Sequence, residues 1–338
     1  MNGGPQALAV TQGEPAGIGP ELIGMAWQAR AEARLPSFFC VGDVAFLERR
    51  LAEAGLAVPL REISRPSTAG AVFQEALPVL PARESIVSGI AGKPSPADAG
   101  GVIASITDAV ELVRLGEAPG VVTPPIQKDN LYAAGFGFPG HTEFLGDLSS
   151  RFEGVAAPVR PVMMLACDEL RAVPVTIHVP LRAVPELLTK ALIVETAVIV
   201  ARDLEARFGI ADPRLAVAGL NPHAGEGGAI GREEIEIILP AIEELRGMGI
   251  RATGPHPGDT LFHPAARAEY DAVLTMYHDQ GLIPVKTLAF DRGVNVTLGL
   301  PFVRTSPDHG TALSLAGKGT ASPTSLIEAL RLADRLTR

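Results

Sequence analysis

Short apolar runs bounded by turn residues alternate with longer stretches of helical periodicity along the whole chain, which is the pattern of an α/β protein. Runs at 8–10, 38–41, 121–122, 161–166, 173–177, 215–218 and 272–276 predict strands. Most of them lack apolar–polar alternation, so the strands are expected to be covered on both faces, as in parallel sheets. Helices are predicted over 20–34, 43–54, 97–115, 142–152, 189–208, 233–248 and 322–336. Pro20 suits a first helical turn, and Ser322-Pro323 supplies a cap followed by a proline.

A chain of 338 residues is more than one core usually serves, which favours two domains. With 47% hydrophobic and 20% charged residues, a substantial core is expected and global disorder is not. The net charge of −9, with no basic run, excludes a nucleic-acid partner from the reading. No apolar stretch approaches the roughly 18 residues of a membrane helix, so no membrane partner is expected. The first residues carry no targeting pattern, and Cys40 and Cys167 lie far apart without a CxxC. Together these point to a cytoplasmic protein with reduced thiols.

Chemistry-bearing residues gather at the predicted strand ends. The segment 13–20, GEPAGIGP, joins the first strand to the first helix, as either a plain turn or a ligand loop. It is not a dinucleotide fingerprint, because the third glycine would fall at Leu22. His178, His223 and His278 each follow a predicted strand. Three imidazoles from separate strands would make an open site for a divalent ion of the zinc type, or each could be a structural residue. PGHTE, 139–143, opens a helix whose free N–H groups suit an anion, with His141 and Thr142 as further donors. Lys286, Asn295 and Arg304 add two cations and an amide, fitting for a phosphorylated carboxylic acid. DHGTA, 308–312, and AGKG, 316–319, form a glycine-containing loop before the last helix.

Taken as a set, GEPAGIGPE (13–21), PGHTEFL (139–145), GLNPHAGEGG (219–228), MYHDQGLIPVK (276–286) and RGVNVTLGLPFVRTSPDHGTA (292–312) resemble the 4-hydroxythreonine-4-phosphate dehydrogenase family of pyridoxine biosynthesis, over almost the whole chain and in order. The resemblance implies two α/β/α domains with a cleft between them, like isocitrate and isopropylmalate dehydrogenases. Residues 1–130 and 300–338 would form the domain with the cofactor loop, and 131–299 the domain with the metal ligands and the dimer interface. It implies a homodimer whose active site is shared, with His178, His223 and His278 as metal ligands and His178 lent by the partner subunit. The ion would be zinc, with magnesium or cobalt as alternatives. His141, Thr142, Lys286, Asn295 and Arg304 match the substrate-binding positions. NAD or NADP would be held by the loop containing Asp308, His309, Gly310, Thr311 and Gly317. One departure is Pro124, where the family has a small residue; proline removes a backbone donor there.

The implied reaction oxidises a secondary alcohol beside a carboxylate, so hydride leaves to nicotinamide while a dication stabilises the negative oxygen, and decarboxylation follows. Lys286, Asp259 and Asp279 are the expected catalytic groups, the two carboxylates orienting imidazoles or relaying the proton. Rival readings are a dehydrogenase of 4-phosphothreonate, 4-phosphoerythronate or a cyclic diol carboxylate, an acyl-phosphate transferase, and a silent metal-binding scaffold.

Overall fold

The computed structural model describes residues 6–138, 140–155 and 158–338; Pro139 of the PGHTE segment lies outside them. In chain order the elements are β1 (Leu8–Thr11), α1 (Gly19–Gln28), β2 (Phe38–Gly42), α2 (Val44–Glu53), β3 (Leu60–Glu62), α3 (Ala69–Phe73), β4 (Leu77–Pro81), α4 (Ala99–Arg114), β5 (Gly120–Val122), α5 (Lys128–Ala133) and α6 (His141–Ser149). There follow β6 (Val162–Ala166), β7 (Arg171–Thr176), α7 (Val184–Leu187), α8 (Lys190–Ala206), β8 (Arg214–Ala218), α9 (Leu239–Gly247), β9 (Arg251–His256), α10 (Pro264–Arg267), β10 (Ala272–Tyr277), α11 (His278–Ala289) and β11 (Val294–Leu298). The chain ends in β12 (Val303–Pro307) and α12 (Thr324–Leu336). To the predicted elements this adds β3, β4, β9, β11 and β12, and the helices α3, α5, α7, α10 and α11. The helix predicted over 233–248 is a π-helical stretch, Glu234–Ile238, running into α9.

Two compact units result, residues up to 161 with 300–338, and residues 162–299. The expected boundary at 130 is thereby corrected. Phe144, Leu145 and Leu148 of α6 pack in one apolar cluster with Ala9, Phe39 and Val121 of the first unit's strands, so 131–161 is part of that unit's core.

In the first unit the strand order is β3-β4-β2-β1-β5-β12, and every pairing is parallel. Ala9, Phe39, Val41 and Val121 face α4 and α6, while the alternate residues Leu8, Val10 and Cys40 are equally buried. Both faces are covered, as the unalternating apolar runs require. Burial of Cys40 pushes its thiol pKa far up, and Cys167 is half-buried; both are free thiols. The second unit runs β11-β6-β7-β10-β8-β9. There β6 is antiparallel to both β11 and β7, and β7, β10, β8 and β9 are parallel. Leu282 and Val285 of α11 pack on Leu165, Ala172, Ala216 and Val273. Among the described residues no helix is long and apolar enough to cross a membrane.

Phe144→Ala should lower stability by about 3–5 kcal/mol in the transition of the first unit. Trp27, the chain's one tryptophan, is buried in that unit, so its fluorescence during urea unfolding reports the shift. An unaltered Trp27 transition would return 131–161 to the middle unit.

Candidate active site

The first unit's candidate pocket is built on the last strand. Arg304 of β12 is 5% exposed and Thr123, just past β5, is fully buried. The guanidinium donates from Nε at 3.0 Å and from Nη2 at 2.7 Å to Thr123 Oγ1, and Nη2 also lies 3.5 Å from His141 Nδ1. Guanidinium has no acceptor atom, so Nδ1 takes the accepting role and the imidazole proton resides on Nε2. That Nε2–H is buried and has no hydrogen-bond partner among the described residues. Burial, then the charges of Arg304 and Lys128, hold the His141 pKa well below 6.5. The ring is therefore a neutral donor. Burial also pushes Arg304 down to about 10, so it stays cationic at neutral pH. His141 opens α6, whose N-cap Gly140 supplies no side chain to the first free N–H groups. Thr142, half-buried in that turn, adds a hydroxyl. A desolvated cation, an unpartnered N–H and an uncapped helix start make an anion receptor.

Beside it three loops are tied together. Glu14, whose carboxyl is raised above the usual range mainly by burial, accepts N–H groups from Ala16 and Gln127, each at 3.2 Å. Ile18 N donates to Thr311 O at 3.0 Å, and Thr311 Oγ1 donates to Gln127 Oε1 at 3.2 Å. Gly17 is obligatory, since a Cβ there would sit 2.7 Å from Thr311 O. Pro124 packs against this loop: its Cβ would lie 2.8 Å and 3.1 Å from side chains built on Gly13 and Gly19. The ring thus fills space that only glycines leave open, whatever backbone donor it forgoes. His309 Nδ1–H donates to Gly310 O at 2.8 Å, which leaves the buried Nε2 an acceptor with no partner among the described residues. Asp308 N donates to Ser325 Oγ at 3.3 Å. Around Gly310 a Cβ would meet nothing within 4 Å. Open space beside an orphaned acceptor fits a bound polar molecule such as a dinucleotide.

In the second unit the three histidines leave the ends of parallel neighbours. The order β7-β10-β8 puts His278 in the middle, with His178 and His223 on its two sides. The rings of His178 and His278 lie 5.5 Å apart, centroid to centroid. His223 and Asp259 instead line an open pocket of about 500 Å³ with Tyr277, Asp279 and Gln280. Among the described residues no three His, Cys, Asp or Glu side chains come together closely enough to hold a metal ion. His278 is nonetheless prepared for one: Nδ1 lies 2.7 Å from Asp279 Oδ1, which places its proton toward the carboxylate and frees the Nε2 lone pair.

Two of these histidines stand on strained backbone. His178 has φ +51°, and His223 begins a run of left-handed residues through Gly227, with Ala224 at +52° and Glu226 at +46°. Left-handed backbone costs about 1–2 kcal/mol per non-glycine residue and persists where neighbours enforce it. The enforcer is the buried Glu234. Its Oε1 accepts the Asn221 N–H at 2.7 Å and its Oε2 the Asn221 side-chain amide at 2.9 Å. A Cβ on Gly225 would lie 2.5 Å from Glu234 Oε2, so glycine is required there.

Lys286 is half-buried on α11, its Nζ 5.4 Å from the Phe290 ring centroid. Asn295 sits on β11 opposite Leu165. Thr123, Glu234 and Asn221 are absent from the residues singled out in the sequence. The doublet of acids at 233–234, downstream of a glycine-rich turn, was the one available signal.

A buried guanidinium beside a neutral imidazole donor in one unit, and imidazoles at strand ends in the other, are chemistry of the kind enzymes use. Residues 34–333 match the family model of the pyridoxal phosphate biosynthetic protein PdxA, and the chain belongs to that family. It is 58% identical over 330 residues to a 4-hydroxythreonine-4-phosphate dehydrogenase of Methylorubrum extorquens, covering 97% of this chain and 94% of that one. Its structure resembles that of the Klebsiella pneumoniae 4-hydroxythreonine-4-phosphate dehydrogenase, with TM-score 0.86, 35% identity, and 99% and 100% of the two chains covered. A terephthalate 1,2-cis-dihydrodiol dehydrogenase from Burkholderia xenovorans is more distant, with TM-score 0.63, 28% identity and 98% of each chain covered.

The unfolded chain binds the His141 proton near pH 6.5, whereas the folded chain binds it only well below that. Stability is therefore complete above pH 6.5 and falls as the pH drops toward the folded value, by up to about 1.4 kcal/mol per pH unit. His141→Gln should flatten this acid limb in urea unfolding at pH 7.5 and 5.5. An equally steep loss in the variant would show that His141 does not carry it.

Proposed function

We propose that the chain oxidises 4-phosphohydroxy-L-threonine at its C3 hydroxyl with NAD or NADP, giving 2-amino-3-oxo-4-(phosphonooxy)butanoate, which loses carbon dioxide to leave 3-amino-2-oxopropyl phosphate for pyridoxal 5'-phosphate synthesis. The observation that carries this reading is the Arg304–Thr123–His141 pocket: a buried guanidinium and an unpartnered N–H at an uncapped helix start suit a phosphate. The names of the relatives support the same substrate.

Arg304 and His141 Nε2–H, with Thr142 and the first N–H groups of α6, bind the phosphate and orient the substrate. Lys286 and Asn295 supply the remaining polar contacts. Asp279 holds the His278 imidazole in the ligating tautomer. Lys286 and Asp259 are the groups assigned to the hydroxyl proton. The loop with Asp308, His309, Gly310, Thr311 and Gly317 holds the dinucleotide. A zinc-type ion would be held by His178, His223 and His278 and would supply Lewis-acid stabilisation of negative oxygen, and a nicotinamide held by the 308–319 loop would supply the hydride acceptor.

The family resemblance takes His178 from a second copy, and among the described residues of one chain no three such side chains come together. Leu181, beyond His178, and Ile283 and Phe290, at α11, are exposed at 67%, 62% and 78%, as suits a face covered in a homodimer.

With a zinc-type metal present, NADH absorbance should show a large preference for phosphorylated over unphosphorylated 4-hydroxythreonine. Arg304→Lys should lose about tenfold to a hundredfold in kcat/KM. Equal efficiency on the two substrates would refute the phosphate pocket and favour the diol-carboxylate rival.

His223→Ala and His278→Ala should each lose bound metal, by elemental analysis, while remaining folded. Mixing inactive His178→Ala chains with inactive His278→Ala chains should restore activity, since one site of each heterodimer then has all three imidazoles. No recovery despite demonstrated heterodimers would place all the ligands in one chain.

A further inference from the structure

The first turn of α1 carries a carboxylate with no exposure at all, Glu21. Both its oxygens are committed to the far end of the chain. Oε1 accepts the Gly317 N–H at 2.6 Å and Oε2 the Gly319 N–H at 3.1 Å. The two glycines are left-handed, with φ of +78° and +61°. A Cβ on Gly317 would lie 2.9 Å from Ala91 Cβ, and one on Gly319 would lie 2.3 Å from Ala54 O. Between them Lys318 is exposed.

Arg50 on α2 has a side chain that is likewise fully buried. Its guanidinium donates to Gly17 O at 3.2 Å and Gly89 O at 2.6 Å and lies 3.5 Å from Glu53. Asp98 holds the same turn from its other side, accepting the Ser88 and Gly89 N–H groups at 2.7 Å and 3.0 Å. Burying charged side chains is a weak way to gain stability, because desolvation offsets most of the attraction. What Glu21, Arg50 and Asp98 do is local: together they hold the backbone of three loops, 13–19, 85–92 and 316–319, before any ligand arrives.

We infer that Glu21 is a positioning residue for the dinucleotide: it holds Gly317-Lys318-Gly319 in the shape that receives the cofactor, while touching no ligand itself. This rests on the reading of 308–319 as the cofactor loop. A loop set beforehand spares the ordering entropy that binding would otherwise cost, so the effect falls on dinucleotide affinity and not on the Arg304 pocket.

Glu21→Gln keeps the shape but puts an amide N–H against a backbone N–H. Calorimetry without substrate should show the dinucleotide Kd raised about tenfold, with inorganic phosphate binding changed by less than about twofold. At saturating dinucleotide kcat should be little altered. An unchanged dinucleotide Kd, with or without a lower Tm, would overturn the inference, and so would equal losses for phosphate and dinucleotide. If the wild-type protein binds neither NAD nor NADP, it is the cofactor reading that fails. Should the variant not fold, amide hydrogen exchange of the wild-type protein decides. Slow exchange at Gly317 and Gly319 in the free protein supports a preset loop, and fast exchange that slows only with dinucleotide refutes it.

Discussion

Parallel strand pairing is the constraint on which the rest of the structure depends. A parallel pair sends both chains out at the same sheet edge, and each return needs a crossover. In the first unit this brings the segments after β1, β5 and β12 together although they are remote in sequence. There Glu14, Gln127 and Thr311 become neighbours, and Arg304 meets Thr123 across 181 positions. In the second unit it delivers three histidines to one edge, and the strand order sets their spacing. Ligands of α/β sheets collect at such edges because backbone groups and side chains from several strands converge there.

The anion pocket shows how burial directs chemistry. Moving a guanidinium out of water carries a desolvation cost that a hydroxyl and a neutral imidazole only partly offset. A phosphate that enters supplies charge where the interior has removed solvent, so attraction is strongest for the ligand with most charge. The same burial keeps His141 uncharged, and its proton stays available as a hydrogen-bond donor without competing with Arg304 for the anion's charge. On the proposed reading, the arginine would supply charge and the histidine direction.

Much of this was legible in the sequence, for reasons that also explain the rest. The central strands announced themselves because both their faces are buried and their apolar runs are unbroken. Strand β4 was hidden by Pro78 and Pro81, and α11 by Gly281 and Pro284, residues that read as breakers although the helix spans them. The helix read as continuous over 233–248 changes its winding before Pro240, which brings no N–H to the ladder. The change falls at Glu234, the residue that holds the turn bearing His223. Histidines, Lys286 and Arg304 stand out by type and placement. Thr123 and Glu21 do not, since a threonine before a proline and a glutamate in a first helical turn are ordinary, and their partners lie 181 and nearly 300 positions away.

The discontinuity of the first unit sets an order on its assembly. Residues 162–299 form a continuous stretch with their own core, so during synthesis this unit is complete before β12 has been made. The first unit must wait with β5 unpaired on one side until residues 303–307 arrive. The strand that closes its sheet is also the strand that bears Arg304. Sheet completion and placement of this buried cation are therefore one event, and a chain cut short before β12 lacks both.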